Sequence, residues 1–210
     1  MARRRSGSSG GTLIIVLLLV CCFCLCSSSV GFFVMGGSGD TQPLVVDFED
    51  PVLQDTPESR RTASSIWGGD PIGGGHGRGR LDSTQAWSAL DNGIGEWYQI
   101  DLAEESFVSG IAIKGRKDAD QWVKSFKVSR KGPDGSWKSV GSGKEYTANT
   151  DRDTQVDVNF DKATKTTAIR IYPETWNRHI SLRAELYTQK LKAPPKEETI
   201  IDKIKGFLPF

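Results

Sequence analysis

From Ala168 to Tyr187 the chain reads AIRIYPETWNRHISLRAELY, and this stretch constrains the fold more than any other. Ile169 and Ile171 alternate with Arg170 and Tyr172, and Ile180, Leu182, Ala184 and Leu186 alternate with Ser181, Arg183 and Glu185. A period of two sends successive side chains to opposite faces of an extended strand, so each run has an apolar face and a polar one. Pro173, Thr175 and Asn177 interrupt the alternation, which predicts two strands joined by a loop.

The same signature recurs upstream. EWYQIDL from Glu96 to Leu102, the apolar run Val108 to Ile113, Phe126 and Val128, and Val156, Val158 and Phe160 all read as short strands. Pro133, Asp134 and Gly135 form a turn before a return strand at Trp137 to Val140. GGDPIGGGHGRGR after Trp67 is too rich in glycine to hold a helix or a regular strand. Short strands separated by turns, with no helical periodicity, predict an all-β sandwich or barrel. The four cysteines, Cys21, Cys22, Cys24 and Cys26, all precede this region, so it has neither an internal disulfide nor a thiolate metal site.

Residues Ala63 to Tyr187 carry, in order, ASSIW, GRLDSTQAW, EWYQIDL, SGIAIKGRKD, QWVKSFKVSR, the DGSW turn, ANTDRDT and IRIYPETWNRHISLRAELY. This series resembles the discoidin, or coagulation factor V/VIII C-type, domain family. The resemblance implies a jelly-roll-like barrel of about eight antiparallel strands, whose loops at one end hold a ligand outside the cell. Many animal members tie the two ends of the domain with a disulfide, which this domain lacks. Lipid-binding members carry bulky apolar loop tips; the first loop here keeps Trp67 but is otherwise mostly glycine.

By resemblance to collagen-binding members, Trp67, Asp82 and Arg116 are candidate ligand-binding residues. A tryptophan gives a flat contact surface, and an Asp and an Arg give oriented charged hydrogen bonds. An alternative is that Asp82 and Arg116 pair with each other and brace the loops. Sugar recognition, by ring stacking and hydroxyl hydrogen bonding, draws on Trp67, His76, Trp122, Asp118 and Asp120, with core packing as the other role for Trp122. Arg78, Arg80, Lys114, Arg116 and Lys117 are basic loop residues suited to anionic headgroups or simply to solvent. A structural calcium is conceivable near Asp82, Asp91, Asp118 and Asp120, but no EF-hand spacing assigns one. No cofactor is implied. The two histidines, His76 and His179, lie in neither a zinc-binding nor a nucleophile motif, which points away from an enzyme. With 27 basic and 26 acidic residues, nothing in the charge favours nucleic acid as a partner.

The segment before the domain is of a different kind. Arg3 to Arg5 precede an apolar run over 12–35. About 20 helical residues cross a bilayer core, so this run predicts a signal anchor with residues 1–11 cytoplasmic. A cleaved signal peptide is the alternative, and both place the domain outside the cell or in a lumen. Residues 36–56 are expected to be an extended linker, 57–188 the domain, and 189–210 a charged linker ending in a short amphipathic tail. In that tail Ile200, Ile201, Ile204, Phe207 and Leu208 are spaced to meet a protein partner, a second copy or a membrane, with a frayed end as the alternative. The expectation is a membrane-tethered module that recognises a glycan or an extracellular protein. The alternatives are a structural component of a coat, wall or virion, and then a peripheral binder of anionic lipid.

Overall fold

The computed structural model describes residues 46–193. The apolar run over 12–35 and the tail after 193 lie outside the described residues. Among the described residues no helix is long and apolar enough to cross a membrane.

Among the described residues nine strands form: β1 Val52–Leu53, β2 Arg61–Ala63, β3 Trp87–Ser88, β4 Tyr98–Lys114, β5 Trp122–Lys131, β6 Trp137–Ser139, β7 Tyr146–Thr147, β8 Val156–Asn177 and β9 Ser181–Gln189. Their pairings are all antiparallel, in the order β1-β9-β4-β8-β5-β6, with β2 added to β4, β3 to β9 and β7 to β5. The two strand signals at 96–102 and 108–113 belong to one long strand, β4. Its register with β8 shifts between Asp101 and Ser106 and again between Val108 and Gly110. Such bulges bend and twist a strand, so the two halves of β4 and β8 serve opposite walls and the sheet curls into a jelly roll.

The inward positions are those the alternation marked. Ile169, Ile171, Ile180, Leu182, Ala184 and Leu186 are buried with Tyr98, Ile100, Ile111, Ile113, Phe126 and Val128. Trp87 stacks on Tyr98 at 5.2 Å within this core, and Trp176 packs against its edge.

Three local expectations are revised. First, β8 continues through Pro173 to Asn177, because Pro173 falls at a register shift against β5. A bulge spares the proline from donating to the ladder, so the true loop is only Arg178 to Ile180. Second, Ser181, Arg183 and Glu185 occupy the polar face of β9 yet are buried. The loops around Thr56, Leu81 to Ser83 and Arg152 to Asp153 cover that face. Third, the arm before residue 57 runs along β9. Val52 pairs with Thr188, Leu53 with Tyr187 and Phe48 with Leu191, and Lys192 bonds Asp47 at 2.9 Å.

This ladder joins the two flanks of the domain where a disulfide is absent. Beneath it, Glu185 accepts from the Thr56 amide at 2.8 Å, the Thr56 hydroxyl at 2.8 Å and Arg61 Nη2 at 2.6 Å. The nine residues of β9 rise about 3.3 Å each. Both flanks therefore leave the barrel roughly 30 Å from the loops that precede Ser181.

Candidate functional site

Those loops enclose a hollow of about 170 Å³ lined by Trp67, Ser88, Arg116, Gln121 and His179. Trp67 follows β2 on a tight turn whose next two residues, Gly68 and Gly69, have φ of 69° and 70°. Only glycine takes that backbone at little cost, and the turn leaves the indole 48% exposed. Ser65 holds the turn in place: its hydroxyl accepts the Leu90 amide at 2.9 Å, and its carbonyl accepts Trp87 Nε1 at 2.9 Å.

His179 stands edge-on to Trp67, with ring centroids 5.2 Å apart. Its Nε2 donates to the Ala89 carbonyl at 2.8 Å. Asn92 bonds the Ile180 amide and the Arg178 carbonyl, so the β8–β9 loop lies beside the segment after Ser88. Arg178 has φ 59°, a left-handed conformation that a non-glycine residue adopts only where its surroundings hold it.

On the other side, Arg116 is fixed by its own β4–β5 loop. Its Nε and Nη2 donate to Asp118 at 2.6 and 3.2 Å, and Nη1 donates to Gln121 Oε1 at 3.0 Å. The hydrogen bond from Arg116 holds the Asp118 carboxyl below its ordinary value. Ser88 and Ser181 face each other across the β3–β9 pair with their hydroxyls 2.8 Å apart, and Ser181 Oγ donates to Gln121 Oε1 at 3.3 Å.

The expected site residues thus divide. Trp67 and Arg116 line one hollow, with Asp118 as the counter-ion of Arg116. Asp82 does not join them and does not pair with Arg116. It meets Arg80 at 3.3 Å, in a separate hollow with Glu58, Gly73, Arg78, Ser83 and Thr84. Arg80 also reaches Asp55. His76 bonds Asp70 through both its amide and its Nδ1 at 2.9 Å, which holds the Asp70 carboxyl low. The His76 carbonyl accepts the Ser88 amide, so this loop backs the hollow without lining it. Asp120 is 3.7 Å from Arg152. Trp122 opens β5, half-buried against Gly115, and does not line the hollow.

Ser88, Gln121 and His179 line the hollow although no motif marks them as ligand contacts. Strand polarity is the signal that could have found them, since each lies at an end of a strand on the loop side. Among the described residues no three His, Cys, Asp or Glu side chains are grouped to hold a metal ion. Asp82, Asp118 and Asp120 each face a guanidinium, and Asp91 stands exposed.

A curled antiparallel barrel with a small polar, aromatic-walled hollow among its end loops defines a jelly-roll binding module. Residues 61–186 match the F5/8 type C domain, and the chain belongs to that family of non-catalytic binding modules. It is similar to discoidin-1 of Dictyostelium discoideum, 35% identical over 118 residues, which are 56% of this chain and 47% of that protein. It is also similar to lactadherin of Mus musculus, 33% identical over 141 residues, 62% of this chain and 30% of that protein. The chain thus spans less than half the length of either relative. The solved structure of recombinant discoidin II of Dictyostelium discoideum superposes with a TM-score of 0.52 at 26% identity, covering 70% of this chain and 62% of that one.

Proposed function

We propose that the chain is a membrane-tethered, non-catalytic module that binds a glycan outside the cell or in a lumen, one sugar unit at a time, in the hollow between Trp67 and Arg116. One observation carries this reading: a half-exposed indole face stands beside hydrogen-bonding groups anchored on three different loops. An indole offers an apolar wall to the C–H face of a sugar ring. Arg116 and Gln121 offer N–H groups to its oxygens. The hollow is smaller than the roughly 300–1,000 Å³ of pockets that enclose drug-sized ligands, which suits a single terminal residue. The tether is the apolar run over 12–35.

A glycan and protein array probed with residues 46–193, with and without calcium, tests the reading. Glycan binding that disappears with Trp67→Ala is the expected result. Binding to protein spots alone would move the assignment to an extracellular protein. Binding to neither, together with stoichiometric co-purification with one assembly, would make the chain a structural component.

A further inference from the structure

Of the five side chains that line the hollow, Arg116 alone carries a permanent charge. A residue outside the lining decides what that charge does. Arg116 and Asp118 share the β4–β5 loop, which closes through the Arg116 amide on the Gln121 carbonyl at 2.9 Å and the Gln121 amide on the Ala119 carbonyl at 2.8 Å. This turn sets both oxygens of Asp118 against one guanidinium, Oδ1 2.6 Å from Nε and Oδ2 3.2 Å from Nη2. Such a fork-to-carboxylate pair fixes geometry as well as charge. The hydrogen bond from Arg116 keeps the Asp118 carboxyl below its ordinary value, so Asp118 is ionised near neutral pH. The Arg116 side chain is 17% exposed, and water screens its charge less than at an open surface. Charge and hydrogen-bonding capacity are therefore separated in this arginine. A guanidinium has five N–H donors, of which Asp118 takes two and Gln121 one. The other two N–H groups can still serve a hydroxyl oxygen, while the positive charge behind them is already countered.

Resting on the glycan reading above, we propose that Asp118 is a specificity-determining residue of this hollow: by countering Arg116 it makes the site prefer an uncharged sugar to the corresponding uronic acid. The sign follows from Coulomb's law. An uncharged hydroxyl meets a hydrogen-bond donor whether or not Asp118 carries a charge. A ligand carboxylate is drawn to Arg116 and pushed back by Asp118 at once. Removing the Asp118 charge therefore raises the affinity for an acidic sugar relative to its uncharged counterpart. A carboxylate bonded to the two remaining N–H groups would stand about 7 Å from the Asp118 carboxylate, where a unit charge changes an affinity about three- to sevenfold at an effective dielectric of about 40–80. The neighbouring charges do not alter the sign. Asp120 faces Arg152 at 3.7 Å, Asp70 faces His76 at 2.9 Å, and Arg178 is exposed on the β8–β9 loop. All of them remain when Asp118 is changed and drop out of the comparison.

The experiment is ligand-observed NMR of the full chain in an uncharged, sugar-free detergent at pH 7.5, with the pairs D-galactose and D-galacturonate, D-glucose and D-glucuronate, and D-mannose and D-mannuronate. Wild type should bind the uncharged member of at least one pair more tightly than the acidic member. Asp118→Asn keeps an oxygen for Arg116 but no charge. It should raise the acidic-to-uncharged affinity ratio about three- to sevenfold in about 10 mM salt, where the screening length is about 30 Å. In about 1 M salt, where that length falls to about 3 Å, the rise should disappear. Taking a ratio removes any loss common to both sugars, so a loosened Arg116 does not imitate the effect. Wild type that prefers the acidic member, a ratio unchanged by Asp118→Asn in low salt, or a rise that persists undiminished in high salt would each overturn the inference and leave the glycan reading standing. No binding of any of these sugars by wild type would overturn both.

Discussion

Substituting Glu185 by glutamine removes a single charge from the least accessible ion pair of the domain, and its cost can be worked from the contacts. Arg61 is 2% exposed and Glu185 3%. The carboxylate accepts four hydrogen bonds: from the Thr56 amide and hydroxyl, Arg61 Nη2 and the Leu186 amide. Arg61 also donates to the carbonyls of Thr56, Gly79 and Ala184, which solvate a guanidinium without neutralising it, and stands 4.0 Å from the partly exposed Glu58 carboxylate. In Glu185→Gln the buried guanidinium loses its 2.6 Å counter-charge and keeps only the longer pair with Glu58 at 4.0 Å, and the amide NH2 turns a donor toward one of the groups that had been donating. Breaking a buried pair from one side costs about 3–5 kcal/mol. A domain of this size loses roughly 2–4 °C of Tm per kcal/mol, so scanning calorimetry of residues 46–193 should show a fall of roughly 6–20 °C. Asp82→Asn breaks the exposed contact with Arg80 and should shift Tm by under about 2 °C, since such surface pairs contribute little. If Glu185→Gln melts within about 2 °C of wild type, the idea that this pair clasps the two flanks of the domain in place of a disulfide is wrong.

Other substitutions separate folding from binding. A methyl group on Gly79 would overlap Tyr98 Oη, and Tyr98 is fully buried against Trp87, so Gly79→Ala should destabilise by more than about 3 kcal/mol in urea unfolding, with an unchanged midpoint counting against the packing. Trp67→Ala should leave the urea midpoint nearly unchanged because the indole is half exposed, while array binding disappears; a large loss of stability would make Trp67 a structural residue instead. The hydrogen bond from Arg183 holds the Asp153 carboxyl below its ordinary value, and Arg116 does the same for Asp118. A carboxyl with a lowered folded-state pKa stabilises above its unfolded value and loses that contribution as the pH falls through the folded one. Thermal melts from pH 7 to pH 3 should therefore decline below the usual carboxylate range, and less steeply in Asp153→Asn; identical curves would deny the linkage.

What the sequence made legible was which side chains share a face. Ile169, Ile171, Ile180, Leu182, Ala184 and Leu186 are marked as a common face by their spacing, and all line the core. Whether the opposite face meets water was not legible. Arg183 looks like a solvated residue in the alternation, yet it is 1% exposed and donates to the carbonyls of Gly115, Leu81, Ser83 and Arg152 and to Asp153. Its partners lie 30 to 102 residues away in sequence, so no local pattern announces them. The same distance hides the site. Arg116 lines the hollow because Asp118 and Gln121 fix its fork and Arg183 holds the carbonyl of Gly115 just before it. Asp82 carries a matching motif, but Arg80, which also pairs with Asp55, holds it at another surface. A motif residue therefore reaches the ligand only where buried partners on other strands aim it. In this barrel the aiming is done by the polar face of β9: Ser181 directs Gln121, and Arg183 directs the loop that carries Arg116.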